Sequence, residues 1–527
     1  MKSPFLLALF FGVAWYGVST VWAEDPFQSR AELQEAPGVS ANLDALVFAR
    51  QKQLGIRRAN ACSDAAFLRR VFLDVIGTLP TADEAAAFLE DKSLGKRAAL
   101  IDALLERGEF ADYWGMRWGD ILRVKSEFPV NLWPNAAQAY DRWIRENIRL
   151  NTPYSKIATE ILTASGSNFR NPAVNFYRSA GSKDPKAVAR AVALAFMGER
   201  AEKWPGSKQA ALAAFFSMIG FKKSGEWKEE IVYYKGIDGA MKGPKEATFP
   251  DGTTVRLKPG QDPREVFADW LTSSKSSPFA ASGANRIWYW LMGRGIVHEP
   301  DDMRPGNPPS NPKLLALLAR EFADSGYDTK HLFRMILNSN TYQLSSIPPC
   351  DQPKGAEQFA FYPLRRLEAE VLIDAINQIS GSHEQYSSMI PEPFTFLPEE
   401  SRSVTLPDGS ITGSFLEIFG RPPRDTGLLS ERGERTTTAQ RLHLLNSGDI
   451  LGKISKSEKL NAIFKTPGGP KAVATKLYLT ILSRYPTDEE WKTVEAYTKS
   501  GEAKGGWKAM QDLAWALLNS PEFVFRH

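Results

Sequence analysis

Cysteine and histidine are scarce in this sequence, because its 527 residues contain only two cysteines and five histidines. Two cysteines cannot form a disulfide scaffold, a four-cysteine zinc site or an iron–sulfur cluster. The histidines are scattered and form no His-Glu-x-x-His motif, which argues against a zinc protease. We therefore predict a protein without a bound cofactor or metal.

An excess of one charge is also lacking, since 65 Lys and Arg residues face 61 Asp and Glu residues, for a net charge of +4. This balance does not indicate a nucleic-acid partner, and we predict none. Hydrophobic residues make up 43% and charged residues 24% of the chain. That composition is typical of globular domains and excludes a disordered or collagen-like protein.

Beyond residue 23, the sequence has no apolar run long enough to span a bilayer. Before that point, Lys2 precedes an apolar stretch from Phe5 to Ala14, and Val21-Trp22-Ala23 fits a small-x-small cleavage site. This order is typical of a secretory signal peptide. We predict a signal peptide at residues 1–23, a periplasmic or extracellular location and no membrane span in the mature chain. A retained N-terminal anchor is the alternative.

Export would place Cys62 and Cys350 in an oxidising environment, where they could form a disulfide. Nothing in the sequence brings them together, and a free thiol usually packs as a small apolar side chain. Two separate thiols are the favoured interpretation, and a Cys62–Cys350 disulfide is the alternative.

Helical periodicity dominates the chain, as where Val371, Leu372, Ala375 and Ile376 fall on one helix face. A β-prone stretch interrupts this pattern and contains a hairpin signal around Asp251. We predict a mainly α, multi-helical fold with two helical regions and a small β-hairpin insertion. The predicted boundaries are residues 24–221 for the N-terminal helical domain, 222–262 for the β insertion and 263–527 for the C-terminal helical domain.

The two ends of the chain resemble each other. Residues 71–84 and 477–490 share an apolar stretch that is followed by Pro-Thr and acidic residues. Thr81 and Glu84 form a capping-box pattern, which marks a helix start. We predict that both ends form equivalent helical units, a pseudo-repeat, and that these units pack together.

Nucleotide-binding and hydrolase motifs are incomplete or absent. Gly293-Arg294-Gly295 begins a dinucleotide loop, but His298 stands where the third glycine belongs. Residues 448–453 resemble a phosphate loop that is one residue short, and no Gly-x-Ser-x-Gly motif occurs. These failures favour a protein without catalytic activity.

The densest polar cluster lies between residues 298 and 307, and its candidate binding residues are His298, Asp301, Asp302, Arg304 and Asn307. Carboxylates this close could bind a hard cation such as Ca²⁺, which makes Asp301 and Asp302 weak metal candidates. Their spacing matches no known calcium loop. Helix capping and ion pairing with Arg304 are therefore the favoured interpretation.

A second cluster contains the candidate binding residues Arg421, Arg424, Glu431 and Arg432. Closely spaced arginines could grip a carboxylate, sulfate or phosphate group. The favoured alternative is a charge-paired surface loop. Among the tryptophans, most are expected in the core, and Trp133 and Trp227 form the pair most expected to be exposed.

Several blocks of the sequence resemble one known family. They are Phe67–Gly77, Asn285-Arg286-Ile287-Trp288, Pro300-Asp301-Asp302-Met303-Arg304, Arg365-Arg366-Leu367 with Ala369-Glu370, and Phe419-Gly420-Arg421-Pro422-Pro423-Arg424. The chain resembles planctomycete-type secreted proteins, which combine a cytochrome-associated domain with a planctomycete secreted domain, the domains of unknown function 1549 and 1553. The resemblance implies no established reaction.

The chain departs from that family at two places. Relatives usually carry Cys-x-x-Cys-His where this chain has residues 198–204, and a second cysteine pair where it has residues 427–432. Covalent haem needs two thioether cysteines and a histidine ligand, so we predict no covalent haem. One hypothesis is that the two places form a single metal or redox feature in relatives, lost here. A purely structural role is the alternative.

Three functions stay open at this point. We favour a non-catalytic binding or assembly module in the periplasm or at the cell surface, with an envelope protein or a glycan as partner. The first alternative is a hydrolase or lyase that uses Asp301 and Asp302 on extracellular polysaccharide, although adjacent carboxylates rarely give the separation of about 5 Å or more that a glycosidase needs. The second is a haem-less relative of an electron-transfer protein. No residue is assigned a catalytic role.

Overall fold

A computed structural model describes residues 25–29, 36–236, 243–273, 278–500 and 506–527. The predicted signal peptide at residues 1–23 lies outside the described residues. The fold is mainly helical, with 53% helix and 5% strand, which confirms the predicted class. In the described part of the chain, no helix is both long and apolar enough to cross a membrane.

The first half of the chain is a succession of short helices. They are α1 (Val39–Gln53), α2 (Asp64–Val75), α3 (Ala82–Glu90), α4 (Lys96–Leu105), α5 (Gly108–Ile121), α6 (Pro134–Arg149), α7 (Tyr154–Thr163), α8 (Asn175–Ser179), α9 (Pro185–Val192) and α10 (Gly206–Ala214). A π-helical turn, Ala193–Met197, continues α9 and ends at Gly198, whose φ is 65°.

The second half is built in the same way. Its helices are α11 (Pro263–Ser273), α12 (Pro278–Met292), α13 (Pro312–Asp324), α14 (Thr329–Leu337), α15 (Ala369–Ser380), α16 (Ser414–Ile418), α17 (Thr438–Asn446), α18 (Gly448–Ser455), α19 (Glu458–Phe464), α20 (Gly469–Leu482), α21 (Asp488–Lys499), α22 (Gly506–Leu518) and α23 (Pro521–Val524).

The strands form three small antiparallel sheets. They are β1 (Gly166–Ser167), β2 (Ile219–Lys223), β3 (Glu230–Tyr234), β4 (Glu246–Thr248), β5 (Thr254–Arg256), β6 (Arg365–Arg366) and β7 (Phe525–Arg526). The β4–β5 pair is the predicted hairpin around Asp251. β3 pairs with β2 and with β1, so the central sheet of the insertion includes backbone from the N-terminal helical region.

Both helical regions share one hydrophobic core. Trp114 of α5 is buried, and its ring lies 5.1 Å from that of Trp290 in α12 and 4.5 Å from that of Phe333 in α14. Trp114 Nε1 donates a hydrogen bond to Val75 O, which ties α2 to the same centre. The expectation that most tryptophans pack in the core therefore holds for these.

The two similar end segments fold alike. α3 and α21 both begin with a complete capping box, Thr81 with Glu84 and Thr487 with Glu490. A left-handed residue follows the preceding helix in both units, with φ of 59° at Gly77 and at Ser483.

An arginine fixes each capping box to the start of a later helix. Arg107 contacts Glu84 and Glu109, and Arg484 contacts Glu490 and Glu522 at 2.7 Å each. The units also touch each other, because Lys476 Nζ lies 2.8 Å from the Asp83 carboxylate. The predicted pseudo-repeat is therefore present, and its two copies are in contact.

The two arginines give a matched pair of tests. The Arg484 side chain is 5% exposed and that of Arg107 is 34% exposed. Arg484→Ala leaves two partly buried carboxylates unpaired and is expected to lower the free energy of unfolding by about 3 kcal/mol. Arg107→Ala is expected to cost less than about 1 kcal/mol, because water replaces the lost contacts. Urea unfolding measures both, and equal costs would contradict the burial argument.

Candidate functional site

Two buried carboxylates face one arginine at the junction of α5 and α15. Asp120 lies in the last turn of α5 and Glu370 in the first turn of α15. Arg432 reaches both, with Nη2 2.7 Å from Asp120 Oδ2 and Nη1 2.6 Å from Glu370 Oε2. Arg424 Nε lies 2.9 Å from Asp120 Oδ1, and Arg421 Nε lies 3.4 Å from Glu370 Oε1.

A second pair of buried carboxylates is joined in the same way. Arg526 of β7 contacts Asp74 of α2 at 3.0 Å and also pairs with Glu368, which precedes α15. Arg117 of α5 is the other partner of Glu368, and Arg365 of β6 lies 3.3 Å from Asp74. These two groups together are called the arginine network below.

The network carries more positive than negative charge, since six guanidinium groups meet four carboxylates. Burial alone would raise the pKa of Glu368, but Arg117 and Arg526 hold it well below its usual range. Burial likewise opposes ionisation of Asp120, and Arg432 and Arg424 still lower its pKa. These two carboxylates are therefore ionised at neutral pH.

A cavity of about 150 Å³ lies beside the arginine network. It is lined by Arg117, Tyr289, Trp290, Gly293, Leu364, Arg365, Arg366, Leu367, Glu368, Ala369, Phe419, Gly420, Arg432, Gly433, Glu434 and Phe525. Leu364 is 61% exposed, and Gly433 and Glu434 are also exposed, so these residues form its mouth. A space of this size holds about five water molecules at about 30 Å³ each.

Arg366 is the least neutralised cation of the cavity wall. Its guanidinium donates to the carbonyl oxygens of Leu367, Phe419 and Gly433, and no carboxylate among the described residues pairs with it. Burial lowers the pKa of Arg366. An anion in the cavity would offset that desolvation.

Four arginines of the wall have an unused hydrogen-bond donor. The Nε atoms of Arg117, Arg365, Arg366 and Arg432 are buried, and none has a hydrogen-bond partner in the described part of the chain. A buried guanidinium donor without an acceptor is costly. The cavity wall thus carries excess positive charge, and its four arginines are incompletely hydrogen-bonded.

A close backbone contact shapes the cavity wall near its mouth. Gly433 N donates to Gly420 O at 2.9 Å, and a Cβ on Gly420 would lie 2.9 Å from Gly433 Cα. Gly420 has a φ of 79°, which disfavours other residues at this position. The contact holds the Phe419 and Gly433 carbonyls in position for Arg366.

The structure buries three of the four predicted residues of the second cluster. The side chains of Arg421, Arg424 and Arg432 are 4%, 1% and 6% exposed and belong to the arginine network. The expectation of a surface loop is therefore wrong for them. Glu431 instead accepts hydrogen bonds from the backbone N–H groups of Asp425 and Thr426. Only Arg432 of this cluster lines the cavity.

The first cluster forms one loop, from which only Asp301 points to buried partners outside the cluster. Asp301 is buried and accepts from Arg286 at 3.3 Å and from the Leu429 backbone N–H at 2.7 Å. Asp302 pairs with Arg304 at 3.2 Å. Asn307 and His298 complete the loop, because Asn307 Nδ2 donates to the carbonyls of His298 and Asp302.

His298 itself is exposed at the surface, although partial burial and the nearby Arg294 lower its pKa.

Cys62 is buried and Cys350 is exposed, and the two are not bonded. Within the described residues, no group of three or more His, Cys, Asp or Glu side chains is placed to hold a metal ion.

Sequence reasoning missed several residues of the site. Asp74, Arg117, Glu368 and Arg526 were not proposed, and neither was Arg366. Asp74 sits inside an apolar helix and Arg526 follows Phe-Val-Phe. A lone charge within an apolar run is the signal that indicates a buried ion pair.

Two families match the chain. Residues 42–205 match PSCyt2, a protein of unknown function (DUF1549), and residues 263–498 match PSD1, a protein of unknown function (DUF1553). The chain belongs to the two-domain PSCyt2–PSD1 family. No curated protein and no solved structure matches it. The resemblance drawn from the sequence is thereby confirmed.

In this PSCyt2–PSD1 protein, the two stretches where the resemblance led us to expect cysteines, residues 198–204 and 427–432, contact the same loop. Gly198 O accepts from Met303 N at 2.9 Å, and Leu429 N donates to Asp301 Oδ2 at 2.7 Å. The hypothesis that these stretches form one metal or redox feature in relatives stays a prediction, as does the alternative of a purely structural role.

Arg526→Ala tests the arginine network in this PSCyt2–PSD1 protein. The change leaves Asp74 and Glu368 buried with fewer partners, and the expected loss in the free energy of unfolding at pH 7 is about 3–5 kcal/mol. Arg256→Ala is the control, because that side chain is 90% exposed in its ion pair, and its cost is expected below about 0.5 kcal/mol. Urea unfolding that gave equal costs would contradict the network.

The pH dependence of the same variant gives a second readout. The Glu368 pKa is lowered in the folded state, so its stabilisation is present above the unfolded pKa and is lost as pH falls below about 4.5. Without Arg526 this pKa rises toward its usual value. The loss of stability between pH 7 and pH 3.5 is therefore expected to be smaller in Arg526→Ala than in the unchanged protein, by about 1 kcal/mol. An unchanged difference would exclude Glu368 from this role.

Proposed function

We propose that this protein is an exported, non-catalytic binding module of the cell envelope, and that the cavity beside the arginine network takes a small oxyanion. The observation that carries the proposal is the excess of positive charge in one cavity wall, where Arg117, Arg365, Arg366 and Arg432 outnumber the carboxylates Glu368 and Glu434. The ligand group is a carboxylate, sulfate or phosphate, because guanidinium N–H groups match these oxygens in geometry and charge.

The cavity wall favours an anion attached to a small apolar or ring-shaped body. Its lining includes Trp290, Phe419 and Phe525 as well as the arginines. A volume of about 150 Å³ admits one such group. The ligand is therefore a free small molecule or the charged group of a larger envelope partner that enters from the mouth.

Two observations favour a binding role over a catalytic one. The sequence carries no complete catalytic motif, and the two carboxylates suggested for polysaccharide cleavage are occupied by Arg286 and Arg304. Export rests on the signal-like residues 1–23. N-terminal sequencing of the protein recovered from the host envelope tests it, and a mature chain that begins near residue 24 is expected.

Metal content and the visible absorption spectrum of the same material test the cofactor-free part of the proposal. We expect no stoichiometric metal and no haem band, because covalent haem needs a cysteine pair that the sequence lacks. A stoichiometric metal or a Soret band would overturn a cofactor-free binding role.

Oxyanion binding is tested by calorimetry and thermal unfolding with acetate, glucuronate, sulfate and phosphate. Glucose and sodium chloride at matched ionic strength are the controls. At a ligand concentration of about 100 Kd, the expected stabilisation is about 2.7 kcal/mol. A gain equal to that from chloride or glucose would contradict the proposal.

Two variants are expected to change the affinity in opposite directions. Arg366→Gln removes a charged donor from the wall and should weaken oxyanion binding at least about tenfold. Glu434→Gln removes an exposed carboxylate at the mouth and should strengthen binding about threefold. Arg424→Gln is the matched control, because Arg424 belongs to the arginine network without lining the cavity. If Arg424→Gln weakens binding as much as Arg366→Gln, the effect is on folding and the site is wrong.

A further inference from the structure

Three neighbouring loops carry a concentration of exposed apolar side chains. Phe128, between α5 and α6, is 80% exposed, and Trp227, at the tip of the β2–β3 hairpin, is 72% exposed. The loop after α15 adds Met389 (87%), Phe394 (41%) and Phe396 (62%). Together these five residues are called the apolar tips. Clustered apolar exposure of this kind marks an interaction surface.

The three loops meet at Trp133, which is half-buried. Its ring lies 6.5 Å from that of Trp227 and 5.4 Å from that of Phe394. The Met389 backbone N–H donates to Glu127 Oε1 at 3.1 Å, next to Phe128. The apolar tips therefore belong to one continuous surface.

The loops are held in place from behind. Glu229 at the hairpin tip accepts hydrogen bonds from Ser167 and Ser224 at 2.5 Å each. Asp408 accepts from the Ser126 backbone N–H at 2.9 Å. Trp133 has a φ of 73°, a strained conformation for a bulky residue that the surrounding contacts maintain. The exposed side chains are thus presented on ordered backbone.

The ring geometry argues against a polysaccharide as the occupant. The Trp133 ring is rotated by 86° from that of Trp227 and by 59° from that of Phe394. Such rings cannot form the flat platform on which successive sugar rings would stack. Phe and Met also offer no polar group to bind sugar hydroxyls.

The charges around the apolar tips fit a zwitterionic surface. Lys222, Lys223 and Lys228 are exposed on the hairpin, and the Lys228 ammonium lies 4.8 Å from the Trp133 ring and 5.3 Å from the Trp227 ring. Exposed Glu392 and Glu399 flank Phe394 and Phe396 on the other loop. A phospholipid interface presents both phosphate and amine groups. Aromatic rings beside lysines are the side chains that such interfaces accept.

We propose that the apolar tips insert into the surface of a phospholipid bilayer and hold this protein at a membrane without spanning it. Partial insertion of apolar side chains supplies the affinity, as it does for interfacial segments. The proposal rests on the proposed envelope location and is independent of any ligand in the cavity.

Vesicle co-sedimentation of the exported protein tests this proposal. The probe is phosphatidylcholine vesicles at high and low salt, and binding that persists at high salt is expected because the attraction is apolar. The variant Phe128→Ser/Trp227→Ser/Phe396→Ser should reduce partitioning at least about a hundredfold. The control Leu94→Ser/Leu150→Ser/Trp507→Ser changes three exposed apolar residues elsewhere and should change it little. Circular dichroism of the two triple variants checks that each of them folds.

Quenching by brominated lipid locates the contact. Fluorescence should be quenched in the unchanged protein, and Trp227→Phe should lose most of that quenching. No vesicle binding, or equal loss in both triple variants, would overturn the proposal. The proposal would also be overturned if these loops captured an envelope protein but bound no vesicles. The partner would then be a protein and not a bilayer. Oxyanion binding in the cavity should be unchanged in the loop variant, so the two proposals fail independently.

Discussion

Two arginines each join a buried carboxylate of the N-terminal region to one of the C-terminal region. Arg526 joins Asp74 to Glu368, and Arg432 joins Asp120 to Glu370. A buried carboxylate is costly unless it is paired, and the Arg526–Asp74 and Arg432–Asp120 pairs exist only when both regions are docked. The network therefore joins the two family domains into one structural unit. Their shared aromatic core also holds them together, but apolar contacts alone do not fix how the domains are oriented.

The same network leaves positive charge beside a cavity, and that charge has a physical consequence. Four carboxylates cannot neutralise six guanidinium groups, and Arg366 adds a seventh cation with carbonyl partners only. A structure optimised for stability alone would replace such groups with apolar side chains. These retained cations, which line a space of ligand size, are the feature on which the proposed binding role rests.

The sequence predicted much of the local structure and little of the network. The capping box at Thr81 and the β4–β5 hairpin are set by neighbouring residues, so local patterns were sufficient to find them. The Arg421–Arg432 cluster was recognised from its density. The burial of this cluster was not predicted, because its partners Asp120 and Glu370 come from helices that are distant in the sequence. Helical periodicity shows which face of a helix is apolar, but it does not show which other element packs against that face.

The arginine network also supports the loops that carry the apolar tips. Arg424 donates a hydrogen bond to Val124 O at the base of the Phe128 loop. Arg421 donates to the backbone carbonyl of Asp408, and the Asp408 side chain accepts a hydrogen bond from the Ser126 backbone N–H. Cavity wall and exposed surface are thus built on the same segments of backbone. A protein held at a bilayer by these loops would keep its cavity at a fixed distance from the membrane, because the chain between them is anchored by buried ion pairs.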